Sequence, residues 1–201
     1  MAFRKILKFP DQKLFKKSKP VVDIDDDIIA LIDDLRDTLN VAGGVGLAAP
    51  QIGALHRVIY VACDAFSGAM INPVIKETHD FGAAQEQCLS FPGVSEIIPR
   101  YSKIIVEYKD LASQQQTSTF TNLAAQIIQH EIDHLDGRLM VHHLSRLKQN
   151  MIRRRVDKVK GKVKKMLKPS NDSSHGTRVK TTGHLSKKEV KLRRKRRKQN
   201  L

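Results

Sequence analysis

Two histidines four residues apart, with a glutamate after the first, form the most informative pattern in this sequence. His130, Glu131 and His134 lie in a run from Thr121 to Asp136 that contains no Gly or Pro and has apolar residues at helical spacing. Residues four apart share one face of a helix, so both imidazoles could bind one metal ion. Glu131 could then act as general base toward a metal-bound water. The pattern predicts a catalytic metal site, although two surface histidines would also satisfy it.

A catalytic site of this kind needs a third protein ligand and an open position for water. Cys88 is the best candidate, because a thiolate and two imidazoles form a workable set of three ligands. Two cysteines, Cys63 and Cys88, do not make a disulfide framework, so a free thiol is available to a metal. A small buried apolar residue is the simpler interpretation of Cys63, and from the sequence alone it stays open for Cys88 as well.

Residues 43–53 are rich in Gly and Ala, which let a ligand or another backbone come close. A phosphate-binding loop is the obvious alternative, but no Lys-Ser/Thr pair follows and Pro50 stands where its helix would begin. Gln51 is the one long polar side chain in this stretch, and its amide could donate to a developing oxyanion. A polar loop residue with no chemical role is an equally good interpretation at this point.

The other patterns predict a helix near each end and short strands between them. Apolar residues at helical spacing after Asp25 predict a helix to about Val41, and Ser145 is the expected N-cap of a basic amphipathic helix to about Leu167. The close spacing of the strands favours an antiparallel or mixed arrangement over βαβ crossovers. Strands are predicted at residues 58–63, 69–75, 97–100, 103–108 and 117–120.

The positive charge of the chain is concentrated at one end. The 201 residues carry a net charge of +15, yet residues 151–201 hold 20 Lys and Arg against 3 Asp and Glu. Residues 1–150 hold 16 against 18 and are therefore nearly neutral. Residues 169–186 have the composition of a linker, and residues 187–198 are too highly charged to fold alone. This appendage would either contact nucleic-acid phosphates or serve only as a solvated extension.

Neither an apolar leader nor a membrane span is recognisable. No run approaches the roughly 18–20 apolar residues that a span requires. We therefore expect a soluble, cytoplasmic protein without a membrane partner, in a compartment where thiols stay reduced.

Three motifs, in order along the chain, resemble those of peptide deformylases, enzymes that remove the formyl group from the N-terminal methionine of new proteins. The motifs are Gly44–Gln51 (GVGLAAPQ), Glu86–Ser90 (EQCLS) and Gln129–Leu135 (QHEIDHL), and the resemblance covers roughly residues 3–165. It implies an α+β fold with antiparallel or mixed sheets around a central metal-binding helix. We expect a catalytic domain at 1–145 and a basic C-terminal helix at 146–168, while the composition of residues 169–201 predicts a basic, disordered tail.

The resemblance also assigns roles to individual residues. The metal ligands would be Cys88, His130 and His134, for an iron(II) ion that zinc, nickel or cobalt could replace. Glu131 would be general base and then general acid during attack of a metal-bound water or hydroxide on the formyl carbon. Gln51 and the backbone N–H of Leu89 would stabilise the oxyanion. The residues expected along the substrate are Val45, Gly46, Gln87, Leu123 and Ile127, the last two as a wall for the methionine side chain.

Position 87 departs from the family pattern, which usually has Gly there. Gln87 keeps the backbone amide but lacks the conformational freedom of glycine, so rate, substrate preference or inhibitor fit are the properties expected to differ. An ion pair between Glu86 and Arg100, which would support the loop that carries the metal thiolate, is a further hypothesis.

The expected partners are a formylmethionyl nascent peptide and the ribosome, whose RNA would contact the basic helix and tail. A zinc endopeptidase is one competing interpretation, since Gly137 suits the longer zinc-protease motif, but Met140 stands where that motif needs a third histidine. A nucleic-acid-binding protein with a degenerate metal domain is another. The tail has no aromatic residues for base stacking, so contacts to phosphates without sequence readout are expected.

Overall fold

The computed structural model describes residues 3–166, and the predicted tail at 169–201 lies outside the described residues. The residues up to Lys162 form one compact unit. Three short 3₁₀ turns lie at Gln12–Phe15, Ala49–Ile52 and Met140–His143. The α-helices of the described residues are α1 (Asp26–Ala42), α2 (Asn122–Leu135) and α3 (Arg146–Met166), and the strands are β1 (Gly46–Ala48), β2 (Val58–Cys63), β3 (Phe66–Gln87), β4 (Ser95–Lys109) and β5 (Gln115–Thr121).

The five strands form one sheet in the order β1-β2-β3-β4-β5, and every neighbouring pair is antiparallel. The predicted α+β class is therefore confirmed, with an antiparallel rather than a mixed sheet. Several predicted strands prove to be parts of longer ones, since 69–75 belongs to β3 and both 97–100 and 103–108 belong to β4. β3 continues past Pro73 because the pairing with β4 shifts between Ile71 and Val74, a bulge that accommodates a residue without an N–H.

Helix α1 begins and ends as its sequence indicates. The Asp25 side chain accepts a hydrogen bond from the Ile28 N–H at 3.0 Å, which caps the N-terminus. Gly43 ends the helix in the left-handed conformation at φ 67°, which glycine adopts without a Cβ penalty. Its buried face, including Leu35 and Leu39, packs against β1 and β2. The Gly-rich segment follows directly after the helix.

Helix α2 packs its apolar face against the sheet. Ala125, Ile128 and Leu135 are fully buried with Ile59 and Val106 from the strands. Burial of this face fixes the rotation of the helix about its axis, because apolar residues at three-and-four spacing define one stripe. The same rotation places His130, Glu131 and His134 inside the protein rather than on its surface.

Helix α3 follows a 3₁₀ turn and joins a third apolar cluster through the buried side chain of Ile152. The Ser145 hydroxyl accepts a hydrogen bond from the Lys148 N–H at 3.4 Å, as expected of the predicted N-cap. None of the helices within the described residues combines the length and the hydropathy that crossing a membrane would require.

Candidate metal centre

Both histidines of the helical motif point into one buried cluster that also contains Cys88. The three side chains offer one ligand atom each, and these atoms lie within 4.8 Å of one another. The Nε2 of His134 lies 3.2 Å from the Cys88 sulfur. Because all three residues are buried, water competes weakly for these donors, and their chemistry suits a divalent transition metal.

Cys88 lies in the loop that joins the two longest strands, directly after β3. A turn holds this loop, since the Phe91 N–H donates to the Cys88 carbonyl oxygen at 2.8 Å. Burial alone would raise the pKa of the Cys88 thiol, but the charges of His134 and His130 lower it well below its ordinary value. The thiolate is the form that binds metals, so the surroundings favour a ligand over an inert apolar cysteine.

A chain of buried charges lies behind the cluster. The Nδ1 of His130 is 2.8 Å from Oε2 of Glu86, which orients the ring so that its Nε2 is available as a ligand. Glu86 also forms the predicted ion pair with Arg100, at 2.6 Å between Oε1 and Nε. Arg100 in turn donates through Nη1 to Asp133 at 2.7 Å, and Asp133 lies 2.8 Å from the Nε2 of His143.

Glu86 and Asp133 are the two carboxylates in this series of buried charges. Both remain charged because their hydrogen-bond partners offset the cost of burial. Desolvation would raise the pKa of Asp133, but the hydrogen bond to His143 and the Arg100 guanidinium lower it to about 2. Burial likewise opposes the charge of Glu86, yet its hydrogen bonds to His130 and Arg100 lower its pKa. Asp133 and His143 are functional candidates that the sequence alone does not indicate. Asp133 occupies a free position of the metal motif, and its partner lies ten residues further along the chain.

Glu131 has a different environment from those carboxylates. It is buried, and its Oε2 has no hydrogen-bond partner among the described residues. Burial raises the pKa of Glu131 to about 7, although the neighbouring His130 and His134 oppose that rise. A carboxyl group with one uncommitted oxygen beside a metal-ligand cluster can both accept and return a proton.

The amide of Gln51 is oriented by the backbone of its own turn. Its Oε1 accepts a hydrogen bond from the Ala48 N–H at 2.8 Å, so the amide NH₂ points the other way. That group lies 3.7 Å from the Cys88 sulfur and 3.3 Å from the Ser90 hydroxyl. Gln51 is therefore a buried donor directed at the cluster, and Ser90 is a second neighbour that sequence reasoning had not singled out.

A cavity of about 480 Å³ opens beside the cluster, a volume within the usual range for small-ligand sites. Gly46 forms part of its wall, where a Cβ would lie 2.6 Å from Oε1 of Glu131. The predicted ligand His134 contacts Cys88 but does not line the cavity. All of the other predicted site residues line the cavity: Val45, Gly46, Gln51, Gln87, Cys88, Leu89, Leu123, Ile127, His130 and Glu131.

Comparisons with known proteins agree with one another. A family profile described as polypeptide deformylase matches residues 3–150. A peptide deformylase of Alkalilimnicola ehrlichii is 40% identical over 164 residues, which cover 79% of this chain and 92% of the relative. Among solved structures, a peptide deformylase from Legionella pneumophila has a TM-score of 0.77 and 40% identity, covering 84% of this chain and all of that one. A Met-Ala-Ser-bound class I type b peptide deformylase from Acinetobacter baumannii has a TM-score of 0.67 and 29% identity, covering 71% and 99% of the two chains.

Proposed function

We propose a mechanism from the premise that this chain belongs to the peptide deformylase family, the hydrolases that act on formyl-methionyl peptides. The proposal is a metal-dependent hydrolysis, in which Glu131 takes a proton from the water that attacks the formyl carbon. The observation that carries it is the cluster of Cys88, His130 and His134, whose ligand atoms lie within 4.8 Å of one another. A divalent ion held there, iron(II) in our proposal with zinc, nickel or cobalt as substitutes, would polarise the formyl carbonyl and lower the pKa of a water toward about 7.

Glu131 moves the proton in this scheme. Its uncommitted Oε2 accepts a proton as water attacks the formyl carbon and then delivers it to the departing amine nitrogen. The products are formate and a free N-terminal amine. Gly46 leaves room for the carboxylate to lie beside the substrate, because a Cβ at that position would collide with Oε1.

Gln51 and the backbone N–H of Leu89 are the proposed oxyanion donors. The hydrogen bond from Ala48 to Oε1 of Gln51 commits the carbonyl end of the amide and directs the NH₂ group toward Cys88. Donors that are oriented before the reaction need no rearrangement as negative charge grows on the formyl oxygen. Both residues line the cavity into which that oxygen would be placed.

The substrate backbone is proposed to lie along Val45 and Gly46, at the edge of the sheet formed by β1. An extended peptide can add to such an edge by backbone hydrogen bonding. Gln87 would border the peptide on the opposite side, and the methionine side chain would pack against Leu123 and Ile127. Occupation of the Acinetobacter baumannii relative by Met-Ala-Ser supports a peptide that begins with methionine.

Helix α3 supports a proposed contact with ribosomal RNA. Its basic side chains between Arg146 and Lys158 are exposed, whereas Ile152 is buried. Phosphate contacts of this kind weaken steeply as salt rises. The distal tail adds further Lys and Arg to those of the helix, so ribosome binding by the full chain should exceed that of a chain ending at residue 168. Equal affinities would refute a role for the distal tail.

Formate release from a formyl-Met peptide tests the proposed function. Protein loaded with iron(II) or nickel without oxygen should release formate rapidly and should leave an acetyl-Met peptide intact. Glu131→Gln should lower kcat by about 10³-fold, the usual scale for loss of a general base. Glu77→Gln, which alters an exposed glutamate of β3, is the matched control. Cleavage of an internal peptide bond instead would support the endopeptidase interpretation.

A further inference from the structure

The N-terminal segment Leu7–Phe9 connects the backbone of Gln51, one proposed oxyanion donor, with that of Ser90, the residue that follows the other donor, Leu89. The Leu7 N–H donates to the Gln51 carbonyl oxygen at 2.7 Å, and the Phe9 N–H donates to the Ser90 carbonyl oxygen at 3.0 Å. Three consecutive residues therefore bridge two parts of the chain that are far apart in sequence. They are placed to hold the turn that contains Gln51 and the loop that contains Leu89 and Ser90 at a fixed distance.

Phe9 anchors this segment in the protein. Its ring stacks on Phe91 with 4.7 Å between centroids, and both side chains are buried in the cluster that also contains Cys88. Stacked aromatic pairs of this kind add to the stabilisation that burial gives. The anchor restricts the backbone of the neighbouring residue and so limits where its side chain can reach.

With its backbone held in this way, Lys8 contacts the loop between β3 and β4 through its side chain. Its Nζ donates to the Leu89 carbonyl oxygen at 2.5 Å, and its side chain also lines the cavity although it is exposed. The acceptor belongs to Leu89, the residue whose N–H is the proposed oxyanion donor. A charge-assisted hydrogen bond at that carbonyl oxygen limits rotation of the adjoining backbone.

We propose that Lys8 is a positioning residue for deformylation, which holds the Leu89 backbone so that its N–H stays directed at the formyl oxygen. The inference rests on the proposed function above. Lys8 itself acts through Leu89 and not on the reacting atoms. Small displacements of a group that acts in the transition state have large effects on rate, so such a residue influences kcat more than KM.

The test compares Lys8→Met, which removes the charge but keeps the aliphatic stem, with Lys8→Arg and with Lys5→Met. Lys5 is exposed in the same segment and serves as the control for loss of a surface charge. Lys8→Met should lower kcat by about three- to tenfold with KM changed less than about twofold, since the contact is charge-assisted but exposed. Lys8→Arg should restore most of the loss, and Lys5→Met should match the wild type.

Amide hydrogen exchange measures the positioning directly and does not depend on activity. A peptide covering residues 88–91 should exchange about two- to fivefold faster in Lys8→Met than in Lys5→Met. Equal kcat in Lys8→Met and Lys5→Met, with equal exchange, would overturn the inference. A rise in KM at unchanged kcat would also overturn it, because Lys8 would then be a substrate contact. A wild-type protein that releases no formate would refute the proposed function, while the exchange comparison would still decide whether Lys8 holds the Leu89 backbone.

Discussion

Helix α2 and the loop between β3 and β4 supply the proposed ligands in different ways. On the helix, His130 and His134 share a face because of backbone hydrogen bonding within one element. In the loop, Cys88 depends on contacts from several other parts of the chain. The Gln51 amide is 37 residues away from Cys88 in sequence and His134 is 46 residues away.

This difference indicates where the site is vulnerable. The spacing of the two histidines survives as long as the helix does, and packing against the sheet stabilises that helix. We expect the position of Cys88 relative to them to depend on the buried charges behind the cluster and on the N-terminal segment. Substitutions in the helix should therefore act on ligand chemistry, and substitutions around the loop should act on geometry.

Removing a ligand from the helix should have the largest effect. His134→Ala leaves one imidazole and one thiolate, which is too few for a site that also keeps an open position. We expect less than about a tenth of the wild-type metal content and no detectable formate release. Metal analysis of the purified variants checks this, with His79→Ala as a control at an exposed histidine of β3. Full metal content in His134→Ala would show that the ligand set is wrong.

Crowding the helix from the neighbouring strand should have the next largest effect. In Gly46→Ala the new Cβ would lie 2.6 Å from Oε1 of Glu131 and 2.7 Å from Cγ2 of Ile127, so the carboxylate must move. We expect kcat to fall by about 100-fold with little change in metal content, because displacement of a catalytic group by about 1 Å costs this much.

The control for that substitution is Gly82→Ala. At Gly82 the nearest atom to a new Cβ is the Arg100 carbonyl oxygen at 4.0 Å, which is ordinary contact. Equal kcat for the two alanine variants would contradict the proposed position of Glu131 beside the substrate.

Breaking the ionic chain tests the link between the two regions. Arg100→Met leaves Glu86 and Asp133 buried without their shared cation, since the side chains of Arg100 and Glu86 are only 6% and 7% exposed. We expect a loss of about 3 kcal/mol in the free energy of unfolding. Metal affinity should fall by about 10–100-fold, as when other supporting partners of ligands are removed.

Arg138→Met is the matched control, because Arg138 approaches the same Asp133 at 3.9 Å but is 59% exposed. Exposed pairs contribute at most about 1 kcal/mol, so this variant should resemble the wild type. Chemical denaturation and metal titration measure both properties. Unchanged metal content and activity in Arg100→Met would refute the supporting role of the chain.

The smallest expected effect is at Gln87, the position where glycine was expected from the family resemblance. Gln87→Gly should lower the free energy of unfolding by about 0.5–1 kcal/mol, because glycine loses more backbone freedom on folding. A change in kcat or KM that Gln87→Gly produces should be absent from Gln87→Ala, which lacks the side-chain amide but keeps the restricted backbone. If Gln87→Ala and Gln87→Gly change KM equally, the Gln87 side chain and not its backbone contacts the substrate.

The sequence was most informative where structure is local. Helices α1 and α2 and the cap at Ser145 follow from spacing and end signals, so the pair His130 and His134 could be predicted from residues four apart. Long strands were harder to predict. β3 was predicted only at 69–75, and β4 as the two segments 97–100 and 103–108, because the polar residues beyond and between these apolar runs hide the continuity that pairing between distant residues restores.

Contacts between distant residues could not be inferred from patterns along the chain. Cys88 was a candidate ligand by residue type, and its motif resembled that of a known family, but spacing alone did not bring it to the histidines. The Glu86–Arg100 pair was a hypothesis, and the structure contains this ion pair. Its continuation through Asp133 to His143 has no pattern in the sequence that would predict it. The contact from Lys8 to Leu89 spans 81 residues and was equally invisible.

Cobalt(II) loading of the purified protein tests the central claim that helix and loop hold one metal together. The wild type should bind one ion per chain and show an absorption band from thiolate-to-metal charge transfer. Cys88→Ser should lose that band, whereas Cys63→Ser, which changes the other cysteine, should retain it. A band that persists in Cys88→Ser, or one ion bound per chain without any thiolate band in the wild type, would contradict the account.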